Sequence, residues 1–529
     1  MSELNKQQLQ AVQSTADKIL CLAGAGTGKT FSMLERIAKV TDEGVDPSSI
    51  LVLTFTRAAA FEMKERYIKN HTGRIPTFQT FHAFCYSLIA SNQEVLHKIG
   101  YSNVPAIIDE SAKRRVETQV KMQCGTKLSA AQLAKEEKDL RPVDQFAYRL
   151  YHKALQKAMT SAEIITFNML CSKVCQLFAE DDNCIQRYKQ QYKYIFVDEF
   201  QDTDPTQWRF VSSFTNAKLF VVGDALQAIY SFRNADSSII KRLAKDKSWE
   251  TVKLYQNYRS TKEICDFANA HSKYADPSYR IEIKSDKKGS KVDSKFISGN
   301  SVSNDALNLM YASLSSESGS TAVLCRSNAE VDVTVDFLRN KNIEVRTGRR
   351  NTDAVNILKS AFDDEYLVDW CSTFLNSQKY AEFIRMVAIE GITHRAPFFY
   401  DKFKNYFAVG YYLNAIMAIR AILNDPNQAP FQKCFEIFQQ LELKDTLVDT
   451  DAKTPEEIVN YCISVLGSED DSGVYVGTIH SAKGLEYDNV HLLGVDGKSF
   501  KLDNEDNLNL YYVGITRAKT HLHIYQVIR

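Results

Sequence analysis

The stretch KILCLAGAGTGKTFSMLERIAKV, residues 18–40, decides the fold of this chain. Lys18–Leu22 is a short apolar run that enters a Gly-rich turn, as a buried strand does. The turn is AGAGTGKT, Ala23 to Thr30, and a helical pattern follows from Lys29 to about Val40. Strand, turn and helix in this order point backbone N–H groups and a helix N-terminus at one spot, which suits a phosphate. Besides Ala23 and Ala25, the cradle comprises Gly24, Gly26, Thr27 and Gly28. Lys29 would reach the outer phosphates of a nucleotide, and the Thr30 hydroxyl would ligate Mg2+. The strict pattern asks for Gly where Ala23 stands, and Ala is small enough to serve. A Gly-rich turn without a ligand is the alternative, opposed by the flanking pattern and the intact Gly28-Lys29-Thr30.

Outward from this stretch the same rhythm recurs. Ile50–Thr56 (ILVLTFT) is apolar and β-branched, and an Ala-rich helix follows it through Arg66. Tyr194–Val197 and Leu219–Val222 repeat the theme, which predicts an α/β fold with parallel sheet. Residues 87–192 read as a charged helical insertion without convincing strands. A second α/β region begins near Lys253 and includes Ala322–Cys325 and Glu344–Val345, with a polar loop expected over 284–304. Residues 352–466 are again mostly helical, and GSEDDSG, Gly467–Gly473, is a connector. Strands resume at Val474–Ile479, Val490–Val495 and His521–Val527. The expected domains are 1–86 with 193–250, and 251–351 with 467–529, interrupted by insertions at 87–192 and 352–466.

Composition narrows the class without fixing it. A chain of 529 residues is too long for one hydrophobic core. Its 65 Lys and Arg balance 65 Asp and Glu, so any surface for nucleic acid must be a local patch. The polar N-terminus lacks the apolar segment of a secretory signal, and no apolar run is long enough to span a bilayer, so a cytoplasmic protein is expected. The eleven cysteines are scattered. Cys171 and Cys175 are the closest pair, with Cys184 nearby, and no second pair at zinc-type spacing accompanies them. Buried thiols in a reducing compartment are the favoured reading over a metal site.

The second chemical motif is YIFVDEFQD, residues 194–202. A buried strand delivers Asp198 and Glu199 to its C-terminal end, where α/β sheets bind ligands. Asp198 is placed to hold Mg2+, and Glu199 to activate water for attack on a γ-phosphate. Acidic residues after a strand also cap helices, so the pairing with the phosphate turn carries this reading. Hydrolysis needs positive charge as the transition state forms, and a residue from another domain would let closure gate it. Arg259 in LYQNYRST and Arg517 in YYVGITRAK stand in distinctive surroundings, though each alone would pass for a surface or salt-bridge arginine.

With these residues in view, the chain resembles the UvrD/Rep/PcrA-type superfamily 1 DNA helicases over nearly its whole length. The motifs LNKQQ (4–8), AGAGTGKT, LTFTRAAAFEMKER (53–66), TFHAF (80–84), VDEFQD, VVGDALQAIYSFRNAD (221–236), LYQNYRS, VGTIHSAKGLEYDNV (476–490) and NLYYVGITRAK (509–519) occur in family order. The resemblance implies two RecA-like P-loop domains with parallel sheets, each carrying a mainly helical insertion. It implies that Gln8 contacts the adenine edge, Tyr258 stacks on adenine, and Glu486 approaches the ribose. Gln227 would sense the γ-phosphate, Arg259 would contact it, and Arg517 would act as an arginine finger. On the DNA side it implies Phe55, His82, Tyr230, Phe232, Arg233, Thr478 and His480. This fits single-strand binding, in which aromatic faces stack on bases without reading sequence. Taken singly, each aromatic would be assigned to core packing.

The departures fall away from the hydrolytic residues. Phe232 stands where the family has Trp, Phe31 where an Arg commonly follows the phosphate turn, Arg57-Ala58 for Asn-Lys, and Leu508-Asn509 for an Arg pair. The second insertion is small for the family, and only a strand follows NLYYVGITRAK, which disfavours a fused nuclease. The resemblance implies a 3′→5′ helicase using ATP and Mg2+ on single strands and single-strand/duplex junctions, in repair or replication. Its place would be the cytoplasm, nucleoid-associated or, for a viral chain, in the host. Two alternatives stay open: a translocase that strips proteins from single strands with little unwinding, and a non-catalytic DNA-binding subunit.

Overall fold

In the computed structural model, the residues described are 4–71, 73–108, 110–133, 140–180, 182–314, 317–347, 417–441, 453–455, 457–459, 461–462, 473–496 and 500–528. The run Lys18–Ala23 forms strand β1, with all but its first residue buried. Such a run suits a strand covered on both faces, where each large aliphatic side chain removed from water contributes about 1.5–3 kcal/mol. The same apolar signature marks β2 (Ile50–Thr54), β6 (Tyr194–Val197) and β7 (Lys218–Gly223), while the edge strands β3 (Thr77–Thr80) and β8 (Glu250–Leu254) are more polar and mostly half-buried. They form a six-stranded sheet in the order β3-β2-β6-β7-β1-β8, with every pair parallel. Helices Lys29–Asp42 and Arg57–Asn70 follow β1 and β2. The core on this sheet gathers Ile19, Cys21, Met33, Ile37, Val52, Phe196 and Phe220.

A second six-stranded parallel sheet has the order β11-β12-β10-β13-β14-β9. Its strands are β9 (Asp293–Ile297), β10 (Thr321–Cys325), β11 (Val345–Thr347), β12 (Val474–Thr478), β13 (Tyr487–Val495) and β14 (Ala518–Val527). Its core contains Val323, Leu338, Val476, Leu493 and Tyr525. Both sheets belong to one compact unit, residues 1–91, 171–348 and 471–529; the remainder, 92–170 and 349–470, forms another. In that other unit, β4 (Ala106–Ile108) and β5 (Ile164–Thr166) pair in parallel beside helices Glu110–Cys124 and Pro142–Ser161. Among the described residues no helix is long and apolar enough to cross a membrane.

Four expectations need correction. Strand β8 pairs with β1 from Ile19↔Glu250 to Ala23↔Leu254, so the first sheet runs through Leu254, past the boundary expected at 250–251. The stretch expected as a loop over 284–304 contains β9, a short edge strand whose apolar residues, Phe296 and Ile297, stand only at its end, and just Ile297 is buried. The insertion at 87–192 carries the pair β4–β5, each strand too short for periodicity to reveal. Compact packing also assigns residues 87–91 and 171–192 to the unit of the two sheets. Of the helical insertion expected at 352–466, helix Pro430–Gln440 is observed, and residues 351–416 lie outside those described.

Candidate active site

The C-terminal ends of β1, β6 and β7 converge, and the turn after β1 is built by its glycines. Gly28 caps the helix Lys29–Asp42 at φ 79°, a left-handed conformation that a side chain resists. Gly26, at φ 68°, also lets a second segment approach: a Cβ there would stand 2.7 Å from the Cβ of Arg259. The approach is tied by Tyr258 N–H donating to Gly26 O at 2.9 Å and Asn257 Nδ2 donating to Ala25 O at 2.7 Å. Thr27 Oγ1 donates to Gly24 O at 2.7 Å, closing the turn on itself. Ala23 is a regular ladder residue opposite Leu254, which explains why Gly is not required there.

Lys29 Nζ lies 3.5 Å from the Glu199 carboxylate. Burial works against the ammonium, yet Glu199, Asp224 and Asp198 together hold its pKa above the ordinary value. Thr30 occupies the first turn of the same helix. Asp198 directly follows β6 and is buried, and among the described residues its Oδ1 has no hydrogen-bond partner. Burial and the adjacent Glu199 raise its pKa to about 7. For Glu199 burial opposes ionisation, but Lys29 and Lys483 hold its pKa down to about 2. Glu199 also sits at φ 47°, a left-handed backbone that costs of order 1–3 kcal/mol in a non-glycine residue and clusters at functional sites. An orphaned, buried carboxylate oxygen beside the Thr30 helix terminus is a donor set that suits a hard divalent cation such as Mg2+.

Asp224, after β7, accepts from Leu226 N–H at 3.0 Å and from Gln227 Nε2 at 2.7 Å. Gln201 joins the strand ends, accepting from Asp224 N–H at 3.0 Å and donating to Glu199. Gln8 is buried with both amide ends engaged: Nε2 donates to Thr27 O at 3.2 Å and Oε1 accepts from Asn5 N–H at 3.0 Å. The Tyr258 ring is exposed, its hydroxyl accepting from Asn5 Nδ2 at 2.7 Å. Gln8, Asn5 and Tyr258 thus border one side of the phosphate turn.

The opposite wall comes from the segments around the second sheet. Arg517 is only 2% exposed. It donates to Val513 O at 3.0 Å, Leu485 O at 3.1 Å and Thr516 Oγ1 at 3.2 Å, and among the described residues no carboxylate pairs with it. Burial and the neighbouring Arg259 lower its pKa to about 9, while Glu199 and Glu486 act the other way. Its charge also bears on Lys29. A desolvated guanidinium without a counter-ion, facing a lysine and an arginine, is a place for a polyanion. Arg259 pairs with Glu486 through Nε and donates to Thr516 O at 3.2 Å. Glu486 also pairs with Lys519 at 3.3 Å, so here its carboxylate is held by two cations.

Four of the seven residues assigned to DNA form one aromatic cluster. Phe55 and Tyr230 stack at 5.5 Å, Tyr230 meets Phe232 at 5.9 Å, and Phe232 meets His480 at 5.5 Å. Phe232 leaves 65% of its surface open to solvent, which core packing does not explain. Thr478 lies at the end of β12 and accepts from Ser481 N–H at 3.2 Å, shaping the turn that carries His480. His82 lies in the first turn of the helix Phe81–Ser91. The side chain of Arg233 lies outside the described residues.

Sequence reasoning missed the residue that joins these surfaces. Lys483 Nζ pairs with Asp202 at 2.5 Å, donates to Gln227 O at 2.9 Å, and lies 4.7 Å from the centre of the Tyr230 ring. Lys483 and Asp202 both lie inside matched motifs, yet neither has a spacing that marks it, and they are far apart in the chain. Asn509, where an Arg pair was expected, is buried and donates to Ala228 O at 3.1 Å.

Residues 4–248 match the UvrD/REP helicase N-terminal domain, and residues 473–525 match the UvrD-like helicase C-terminal domain. An ATP-dependent DNA helicase PcrA of Leuconostoc citreum is 35% identical over 298 residues, covering 50% of this chain and 38% of that protein. A protein of the same name from Staphylococcus epidermidis is 25% identical over 618 aligned positions, covering 99% of this chain and 83% of its own length. A probable DNA helicase II homolog of Mycoplasma capricolum is 33% identical over 51% of this chain and 41% of its own length. The chain thus spans less than half of two of these relatives and most of the third.

Proposed function

Because this chain belongs to the UvrD/REP helicase family, we propose that it is an ATP-driven motor that moves 3′→5′ along single-stranded DNA and opens duplex ahead of it. The observation that carries the reading is the shared electrostatics of two walls: Arg517, beside the second sheet, acts on the same Lys29 and Glu199 that the first sheet positions. A triphosphate held there would meet backbone N–H groups of residues 24–30 on one side and guanidinium groups on the other.

In the proposed cycle, Lys29 exchanges its loose contact with Glu199 for the outer phosphates. Glu199 is then released to accept a proton from the attacking water. Arg517 and Arg259 stabilise the charge that develops on the γ-phosphate. Thr30 and Asp198 would hold Mg2+, which when bound supplies positive charge to the phosphate oxygens. Gln8 and Tyr258 would receive adenine, and Glu486 would turn from its cation partners toward the ribose.

Lys483 supports a route from nucleotide to DNA. It touches Asp202, which lies three residues after Glu199, the carbonyl of Gln227 and the ring of Tyr230. Any shift of Asp202 or Gln227 on hydrolysis would therefore move the aromatic cluster that grips bases. Melting costs about 1.4 kcal/mol of stacking per base-pair step, a small demand on a motor fuelled by ATP. Such a motor would act at single-strand/duplex junctions wherever its DNA is kept, in a nucleoid or in a host cytoplasm.

Two experiments test this. Matched duplexes with a 3′ or a 5′ single-stranded tail should be unwound only from the 3′ tail, with ATP and Mg2+, and not by Lys29→Ala. Unwinding from the 5′ tail alone would refute the polarity. Strand release beside displacement of a bound protein separates unwinding from stripping. In addition, Phe232→Ala should weaken single-strand binding by about 5–150-fold, the equivalent of about 1–3 kcal/mol for one stacked base. Fluorescence anisotropy with a labelled oligonucleotide reads this, and unchanged affinity would remove Phe232 from the strand path.

A further inference from the structure

We propose that Cys85, Cys171 and Cys175 form a binding site for a single soft divalent cation, zinc, outside the nucleotide pocket. The three side chains are all buried, at 1%, 4% and 1% exposure. Their sulfurs lie within 4.8 Å of one another, with Cys85–Cys171 at 3.6 Å and Cys171–Cys175 at 3.9 Å. Thiolates at about 2.3 Å from a tetrahedral zinc stand about 3.8 Å apart, so the observed separations are those of a tetrahedron's edges. They are far too long for a disulfide, whose sulfurs lie about 2.0 Å apart. They also converge on one point, as a single ion requires, and do not spread as they would to reach separate irons of a cluster.

Each ligand is supplied by regular structure. Cys171 and Cys175 are one turn apart on the helix Phe167–Ala179, so they share a face. Cys85 comes from the helix Phe81–Ser91 and sits 86 residues away in sequence from Cys171. Among the described residues these sulfurs have only one another as hydrogen-bond partners. The other convergence of ligand-type side chains behaves differently: the Glu317 carboxylate lies 2.9 Å from His491 Nε2, and His523 Nδ1 lies 3.0 Å from Asp293. That group already pairs its carboxylates with its histidines, His523 Nε2 also lying 2.7 Å from Glu317, whereas three converging thiols gain little by meeting in a hydrocarbon core. The fourth position would fall to water or to His82, which shares a helix face with Cys85.

The position gives the ion a task. The chain leaves the unit of the two sheets after Ser91 and returns at Cys171, so the ligands flank both crossings. An ion there would fasten the outgoing helix to the returning one and stabilise the folded form by mass action.

The test uses the full chain. Elemental analysis of protein purified with zinc should give about one zinc per chain. After exchange for cobalt, a thiolate-to-cobalt charge-transfer band and the intense visible bands of tetrahedral cobalt should appear. Cys85→Ser and Cys171→Ser should each lose the metal and those bands. Cys184→Ser, the cysteine that spacing alone would have added to the pair, should keep both. A chain that holds no zinc, shows no cobalt–thiolate band and gains no thermal stability on zinc addition would overturn the site. So would loss of metal in Cys184→Ser with retention in Cys85→Ser. Because the spectrum reads ligation in the unmutated protein, a variant that fails to fold does not shield the proposal.

Discussion

Arg517→Ala is expected to lower DNA-stimulated ATP turnover by about 10³–10⁵-fold, the range that an arginine finger contributes to phosphoryl transfer. The expectation rests on desolvation. Arg517 is buried and satisfied by two carbonyls and a hydroxyl, and among the described residues no carboxylate is paired to it, so its charge is kept available for an incoming anion. In a site of low dielectric that charge is worth far more than at a surface. Because the group is asked to act on charge that develops during the reaction, the loss should fall on kcat, with KM for ATP changed much less. Arg517→Lys keeps a charge but cannot cover the same acceptors, and should recover little. Steady-state phosphate release with saturating oligonucleotide measures both parameters. A turnover number within a few-fold of the unmutated chain would dismiss the two-walled pocket, and circular dichroism of the variant distinguishes lost chemistry from lost fold.

The second large effect is that of Glu199→Gln, expected to slow hydrolysis by about 10²–10⁴-fold while nucleotide binding survives. Gln is close in shape and can occupy the same left-handed backbone at comparable cost, so the substitution removes a base more than a shape. Lys29 also loses its carboxylate partner, which leaves it freer to meet phosphate. Binding of a fluorescent ATP analogue should therefore be as tight as before or tighter. The contrast with Asp198 is physical: burial and its neighbour's charge raise Asp198 to about 7, while Lys29 and Lys483 keep Glu199 ionised against burial, to about 2. Adjacent carboxylates are thus pushed apart in proton affinity, the usual preparation for different tasks. If Glu199→Gln hydrolysed ATP at the original rate, the base would have to be sought elsewhere on the strand ends.

Much of this architecture was readable from local pattern. Strand β1, the turn at Ala23–Thr30 and the helix from Lys29 announce themselves through five buried apolar residues, glycines at positive φ and helical periodicity. Asp198 and Glu199 were placed by the strand that precedes them. Edge strand β9 was hidden because it begins with three polar residues and buries only Ile297, and β4 and β5 because three residues hold too little pattern. The boundary expected at 250–251 fell inside strand β8 because ETVKL mixes polar and apolar residues and does not announce its ladder partner.

What the sequence determined by itself, then, is what is encoded within a turn or two of chain: which apolar runs are buried strands, where a phosphate turn lies, and the family whose motifs recur in order. What only the tertiary structure decided is which distant groups share one environment. Lys483 reaches Asp202 and Tyr230, Arg517 loses its water beside Arg259, and Cys85 meets Cys171. No periodicity announces such meetings, because they depend on how two sheets and their connections close around each other. Burial and the proximity of other charges then set what each side chain can do.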